Sequence, residues 1–111
     1  TGDVMACENK AIAPTQVLPA VDGTAMGPAF THIFSGGYAT GYYGYKWAEV
    51  LAADAFSYFK EKGIFSKEVA DKFRTEVLEK GGHEHPMTLY VNFRGHKPQT
   101  QALIDQMGLG K

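Results

Sequence analysis

THIFSGGYATGYYGYKWAEVLAADAF, residues Thr31–Phe56, changes character half-way along. Its second half carries Tyr45, Ala48, Ala52, Ala55 and Phe56, joined by Phe59 just beyond, at steps of three and four. That recurrence places them on one face of an amphipathic helix beginning at about Ala39. The first half interleaves Gly36, Gly37, Gly41 and Gly44 with Tyr38, Tyr42, Tyr43 and Tyr45. Each glycine lowers the stability of a helix interior by roughly 1 kcal/mol relative to alanine, so several together predict that close backbone approach or mobility outweighs helix stability here. A glycine-rich loop running into a rigid helix suits a segment that closes over a ligand: the glycines absorb dihedral changes while the helix holds its base.

Downstream, Gly63 supplies a left-handed stop for that helix. Ser66 predicts the cap of a second helix with Val69, Phe73 and Val77 at steps of four, ended by Gly81-Gly82. Pro86 suits the first turn of a third helix, in which Met87, Tyr90 and Phe93 share a face and Gly95 closes the run. Pro98 is expected to open a fourth helix carrying Leu103, Ile104 and Met107 before Gly108. Upstream, Val4, Met5, Ala6, Ala11 and Ile12 among charges predict a helix over 3–13 that Pro14 ends. Pro14, Pro19, Gly23, Gly27 and Pro28 block a long helix, while Val17, Leu18, Val21 and Met26 predict an irregular connection that is packed against something. The expected class is mainly α: one fragment over 1–111, with a helix, irregular arm and Gly-rich loop over 1–38 and a helical subdomain over 39–111.

Composition excludes several functions. With 111 residues, 44% apolar and 21% charged, the chain holds at most one globular domain. A net charge of −1 and a pI near 6.4 give no basic field for nucleic acid. No run is long enough to span a membrane, and residues 1–10 lack the pattern of a signal peptide. Cys7 is the sole cysteine, which excludes an internal disulfide or a four-thiolate zinc site. A start at Thr1-Gly2 without an initiator Met is read as a fragment or processed product.

The chemistry sits in the phenols. Tyr42 and Tyr45, three apart, project from neighbouring positions of one face. A neutral phenol donates a hydrogen bond without carrying charge, so it can stabilise a developing oxyanion or hold a peptide carbonyl in a partly dry cleft. His32, ten residues before Tyr42, offers a second donor. Composition alone leaves open that these tyrosines simply pack with their hydroxyls at the surface.

The ordered motifs H-x-x-x-G-G-Y (from His32), Y-Y-x-Y (from Tyr42), W-A-E-V (from Trp47) and F-R-G-x-x-P (from Phe93) resemble the C-terminal segment of the thimet oligopeptidase family of zinc metallopeptidases. The likeness extends through GIFSKEVADKFRTEVLEKGG and PMTLYVNFRGHKPQTQALIDQMGL, and back into APTQVLPAVDGTAMGPAFTHIF, covering nearly all of the chain from Ala13. It implies the helical C-terminal part of a larger zincin-type oligopeptidase acting on short peptides. By resemblance, His32 and Tyr38 contact substrate, Gly36 and Gly37 form a mobile loop, and Tyr45, with Tyr42 beside it, hydrogen-bonds the tetrahedral intermediate.

The resemblance also implies zinc, held in the family by an H-E-x-x-H helix and a downstream glutamate, with the motif's own glutamate as general base. That motif is absent. His83-Glu84-His85 is no substitute, because histidines two apart on a helix point to different sides. Relatives commonly carry aspartate where this chain has His85, so a weaker helix cap is expected before Pro86. The upstream part of the parent catalytic domain should supply the metal site, leaving this chain inactive alone and prone to self-association through surface its parent covers. Likeness in residues 31–56 leans toward the bacterial peptidyl-dipeptidases over the endo-acting oligopeptidases, and toward a cytoplasmic enzyme. Two rivals remain: a non-enzymatic peptide- or ligand-binding helical module, and an interaction domain whose tyrosine face lies buried in a partner.

Overall fold

The computed structural model describes residues 2–110, which form helices and no strand. The chain divides into two compact units, Thr1–Tyr43 and Gly44–Lys111.

The first unit begins with α1 (Val4–Ile12), whose Asp3 cap accepts from the Met5 and Ala6 amides at 2.9 and 3.3 Å. Pro14 lies in the tight 3-10 turn Ala13–Thr15 that ends the helix, as its missing N–H dictates. Two single-turn helices follow, α2 (Met26–Ala29) and α3 (Thr31–Phe34). The connection between α1 and α2 is irregular but not packed: Val17, Leu18 and Val21 all stand in solvent. That part of the expectation fails because the unit buries no side chain among its described residues.

In the second unit, α4 (Gly44–Lys62) starts five residues later than expected, after a turn over 39–43. Gly41 and Gly44 account for the delay, since each disfavours helix propagation. The inward face of α4 also differs from the predicted one. Val50, Ala53 and Asp54 are buried, whereas Tyr45, Ala48, Ala52 and Phe56 are exposed and Ala55 and Phe59 half-buried. Both stripes recur at helical spacing, and a buried polar pairing decides between them.

Gly63, at φ +106°, stops α4, and Ser66 caps α5 (Lys67–Phe73) by accepting from the Val69 amide. The helix continues through a widened turn, Arg74–Leu78, in which the Glu79 amide reaches back five residues to the Arg74 carbonyl. Pro86 opens α6 (Pro86–Arg94) and left-handed Gly95 closes it, as the sequence predicts. Pro98 does not open α7 (Gln101–Gln106): the first helical bonds go to the Thr100 carbonyl, leaving Pro98 in the connection. Val69, Leu89 and Phe93 form the core, with Phe93 fully buried and edge-on to Phe73 at 5.1 Å and to Tyr58 at 5.6 Å.

Asp54, only 3% exposed, lies within this core region. The Tyr90 hydroxyl donates to its Oδ2 at 2.6 Å, and Arg94 Nε lies 3.8 Å from its Oδ1. The Arg94 fork also donates from Nη2 to Ser57 Oγ at 3.0 Å and to Glu61 Oε1 at 2.8 Å, while its plane covers the Tyr58 ring at 5.1 Å. Burial, reinforced by the hydrogen bond to the Asp54 carboxylate, pushes the Tyr90 phenol well above the usual tyrosine range. Tyr90→Phe leaves the carboxylate without this donor and is expected to cost about 1–3 kcal/mol in urea unfolding. The folded-state pKa is raised, so the phenol's stabilisation is complete below its unfolded value of about 10 and is lost as pH rises beyond it. The variant should therefore lose stability less steeply above about pH 10. An unfolding free energy and alkaline slope equal to wild type would contradict the pairing.

Candidate functional site

In the first unit, the strip from Phe30 to Tyr42 is folded back on itself by its own backbone. Ile33 and Phe34 donate to the Phe30 carbonyl, each at 3.2 Å, setting α3 directly after Phe30. Ser35 then donates to the Thr31 carbonyl at 2.7 Å and Tyr38 to the His32 carbonyl at 3.2 Å. Gly36 sits inside this reversal. A Cβ there would lie 3.0 Å from the His32 carbonyl oxygen and 3.3 Å from that of Thr31. Gly37, in contrast, faces open space. Neither residue has positive φ, so Gly36 is favoured by close approach of backbone and not by handedness.

A second turn, in which the Gly41 and Tyr42 amides donate to the Tyr38 carbonyl at 3.2 and 3.1 Å, returns the chain toward Phe30. Tyr42 meets the Phe30 ring edge-on, with centroids 4.6 Å apart. The His32 ring lies 5.8 Å from Tyr42, 6.0 Å from Tyr38 and 6.4 Å from Phe30. Three predicted site residues, His32, Tyr38 and Tyr42, are thus gathered in one aromatic group. Phe30, on which Tyr42 packs, was not singled out from the sequence; its one signal there is an aromatic residue two positions before the histidine motif.

Tyr45 belongs to the second unit, in the first turn of α4. The helix turns the Val50–Asp54 face inward, so Tyr45 is left 47% exposed with Trp47 nearby in sequence at 44%. Tyr38 and Tyr42 are 45% and 36% exposed. All three tyrosines are thus part-covered, neither absorbed into a core nor fully in solvent.

Among the described residues, no group of three His, Cys, Asp or Glu side chains converges to hold a metal ion, so zinc does not fit the residues present. His85 serves the fold instead, because its Nδ1 accepts from the Met87 amide at 3.2 Å and so caps α6. The imidazole thus supplies the acceptor whose weakening the sequence suggested. No helix is long and apolar enough to cross a membrane among the described residues.

Residues 3–109 match the sequence pattern of Peptidase family M3. The chain is 50% identical over 93 residues to oligopeptidase A of Escherichia coli K12, covering 84% of this chain and 14% of that protein. It is 46% identical over 99 residues to a probable cytosolic oligopeptidase A of Arabidopsis thaliana, covering 86% and 14%. To the dipeptidyl carboxypeptidase of Salmonella typhimurium it is 38% identical over 105 residues, covering 94% and 15%. The chain therefore spans roughly one-seventh of the length of these relatives. A match that takes in all but the outermost residues, joined to half identity with an oligopeptidase, leaves one conclusion: this chain belongs to peptidase family M3.

Proposed function

We propose that the chain is the C-terminal part of the catalytic domain of a cytoplasmic oligopeptidase that hydrolyses short peptides. The observation carrying this reading is the gathering of His32, Tyr38 and Tyr42 around Phe30 on a glycine-bent strip, in a chain half identical to oligopeptidase A. Identity to that relative exceeds identity to dipeptidyl carboxypeptidase, 50% against 38%, which favours the oligopeptidase side over the peptidyl-dipeptidase lean of the motif reading.

In this reading His32 and Tyr38 contact bound peptide, and Gly36 and Gly37 let the strip take up substrates of different shape. Tyr45, with Tyr42, donates a hydrogen bond to the oxyanion that develops as the scissile carbonyl becomes tetrahedral. Tyr45 suits this role because it stands in the first turn of a 19-residue helix, where the aligned peptide dipoles favour nearby negative charge. A neutral donor of fixed position gains strength as charge builds on the oxygen, so it stabilises the transition state more than the substrate.

Family M3 enzymes are zinc-dependent, and the ligands are assigned to a part of the parent outside this chain. Hydrolysis needs an activated water as well as an oxyanion donor, so the isolated chain is expected to be inactive. It is also expected to self-associate through exposed apolar residues such as Val4, Phe34 and Phe65.

In the full-length protein, Tyr45→Phe should lower kcat for a peptide substrate about 10²–10³-fold with little change in KM. Unchanged turnover would remove Tyr45 from the mechanism. Gly36→Ala, which presses a methyl group on the His32 carbonyl, should raise KM about fivefold or more, and by more than Gly37→Ala, whose methyl group meets open space. Equal effects from the two would contradict the assigned packing.

A further inference from the structure

We propose that Glu8 is a positioning residue for the substrate strip, acting as a clamp between α1 and the turn that leads into His32. The inference rests on the substrate-binding reading of that strip. Glu8 is half-buried on α1, and its carboxylate reaches eighteen and nineteen residues along the chain to accept from the Met26 amide at 2.8 Å and the Gly27 amide at 3.0 Å.

The need for such a clamp follows from local physics. A helix leaves its first amides without internal partners, and α2, only four residues long, consists largely of such amides. A single turn fixes several dihedrals for very few bonds, so it does not persist unaided. Ala25, at the capping position, has no side chain able to accept. The preceding loop offers little support: Thr24 bonds locally, to the Val21 carbonyl, and Val17, Leu18 and Val21 are exposed. Two charge-assisted hydrogen bonds from Glu8 fill that gap. Phe30, which receives Tyr42 edge-on and stands at the capping position before α3, follows α2 directly, so the position of α2 sets that of the His32 strip.

Gly27 completes the device. A Cβ on this residue would lie 2.7 Å from Glu8 Oε2. That atom is the end of a flexible side chain, so an added methyl group evicts the carboxylate instead of moving backbone. Gly27→Ala should therefore reproduce the loss of Glu8, and the two changes should not add.

The test is steady-state peptide cleavage by the full-length enzyme carrying Glu8→Ala, Gly27→Ala, both together, or His32→Ala as reference. Each single clamp variant should raise KM about fivefold with kcat within about twofold, and the double variant should match either single one. Glu8→Gln, which keeps one acceptor oxygen, should give a smaller rise and serves if Glu8→Ala does not fold. Additive effects, equal losses in kcat and KM terms, or a Glu8→Ala enzyme with wild-type KM beside a His32→Ala enzyme with raised KM would each overturn the clamp. A wild-type KM for His32→Ala would instead overturn the strip reading, and the clamp proposal with it.

Discussion

The second unit depends on a buried carboxylate. Placing Asp54 at 3% exposure takes a charge out of water, an arrangement that persists only if the charge is paired and hydrogen-bonded. Tyr90 and Arg94, one turn apart on α6, supply the partners, and Arg94 extends the network to Ser57 and Glu61 on α4. These side chains, spaced at the helical period, tie α4 to α6 and fix the rotation of α4 about its axis. Arg94 Nε is buried with no hydrogen-bond acceptor among the described residues, so the tie to Asp54 through this atom is electrostatic alone. That cost is offset by the three hydrogen bonds the same guanidinium makes to Ser57 and Glu61 and by its stacking on Tyr58.

Rotation of α4 has a functional consequence. With Asp54 turned inward, the stripe of Tyr45, Ala48, Ala52 and Phe56 faces out, and a phenol in the first turn is presented and not absorbed into the core. The first unit works on a different principle. It has no buried side chain among its described residues, and its form comes from backbone reversals at Gly36 and Gly41, an aromatic group around Phe30, and the carboxylate of Glu8. Without a buried core among its described residues, such a unit depends on these local contacts for its order.

Much of this was legible in the residues. Capping by Ser66, the starts and stops at Pro86, Gly63 and Gly95, and the grouping of Tyr90 with Phe93 follow from local chemistry that needs no tertiary knowledge. The inward face of α4 was not legible, because its two candidate stripes are alike in apolar spacing and a polar residue, Asp54, marks the correct one. Pairing with Tyr90, thirty-six residues away, is what makes burial of that aspartate tolerable, and no local pattern announces it. The same reason hid Glu8, whose partners are backbone amides far along the chain. His32, Tyr38 and Tyr42 were legible through their motif, whereas their gathering on Phe30 depends on two turns whose bonds only the fold reveals.

We propose that the phenol of Tyr45 recognises the reaction's oxyanion and not the resting peptide. Its most direct test compares the affinities of the full-length enzyme and its Tyr45→Phe variant for two inhibitors: a phosphinic peptide, whose tetrahedral centre carries the anionic oxygen, and the cleavage product of the same sequence. The account predicts about a hundredfold weaker binding of the phosphinic peptide and product binding within about threefold of wild type. Equal changes for both ligands, or none for either, would contradict it.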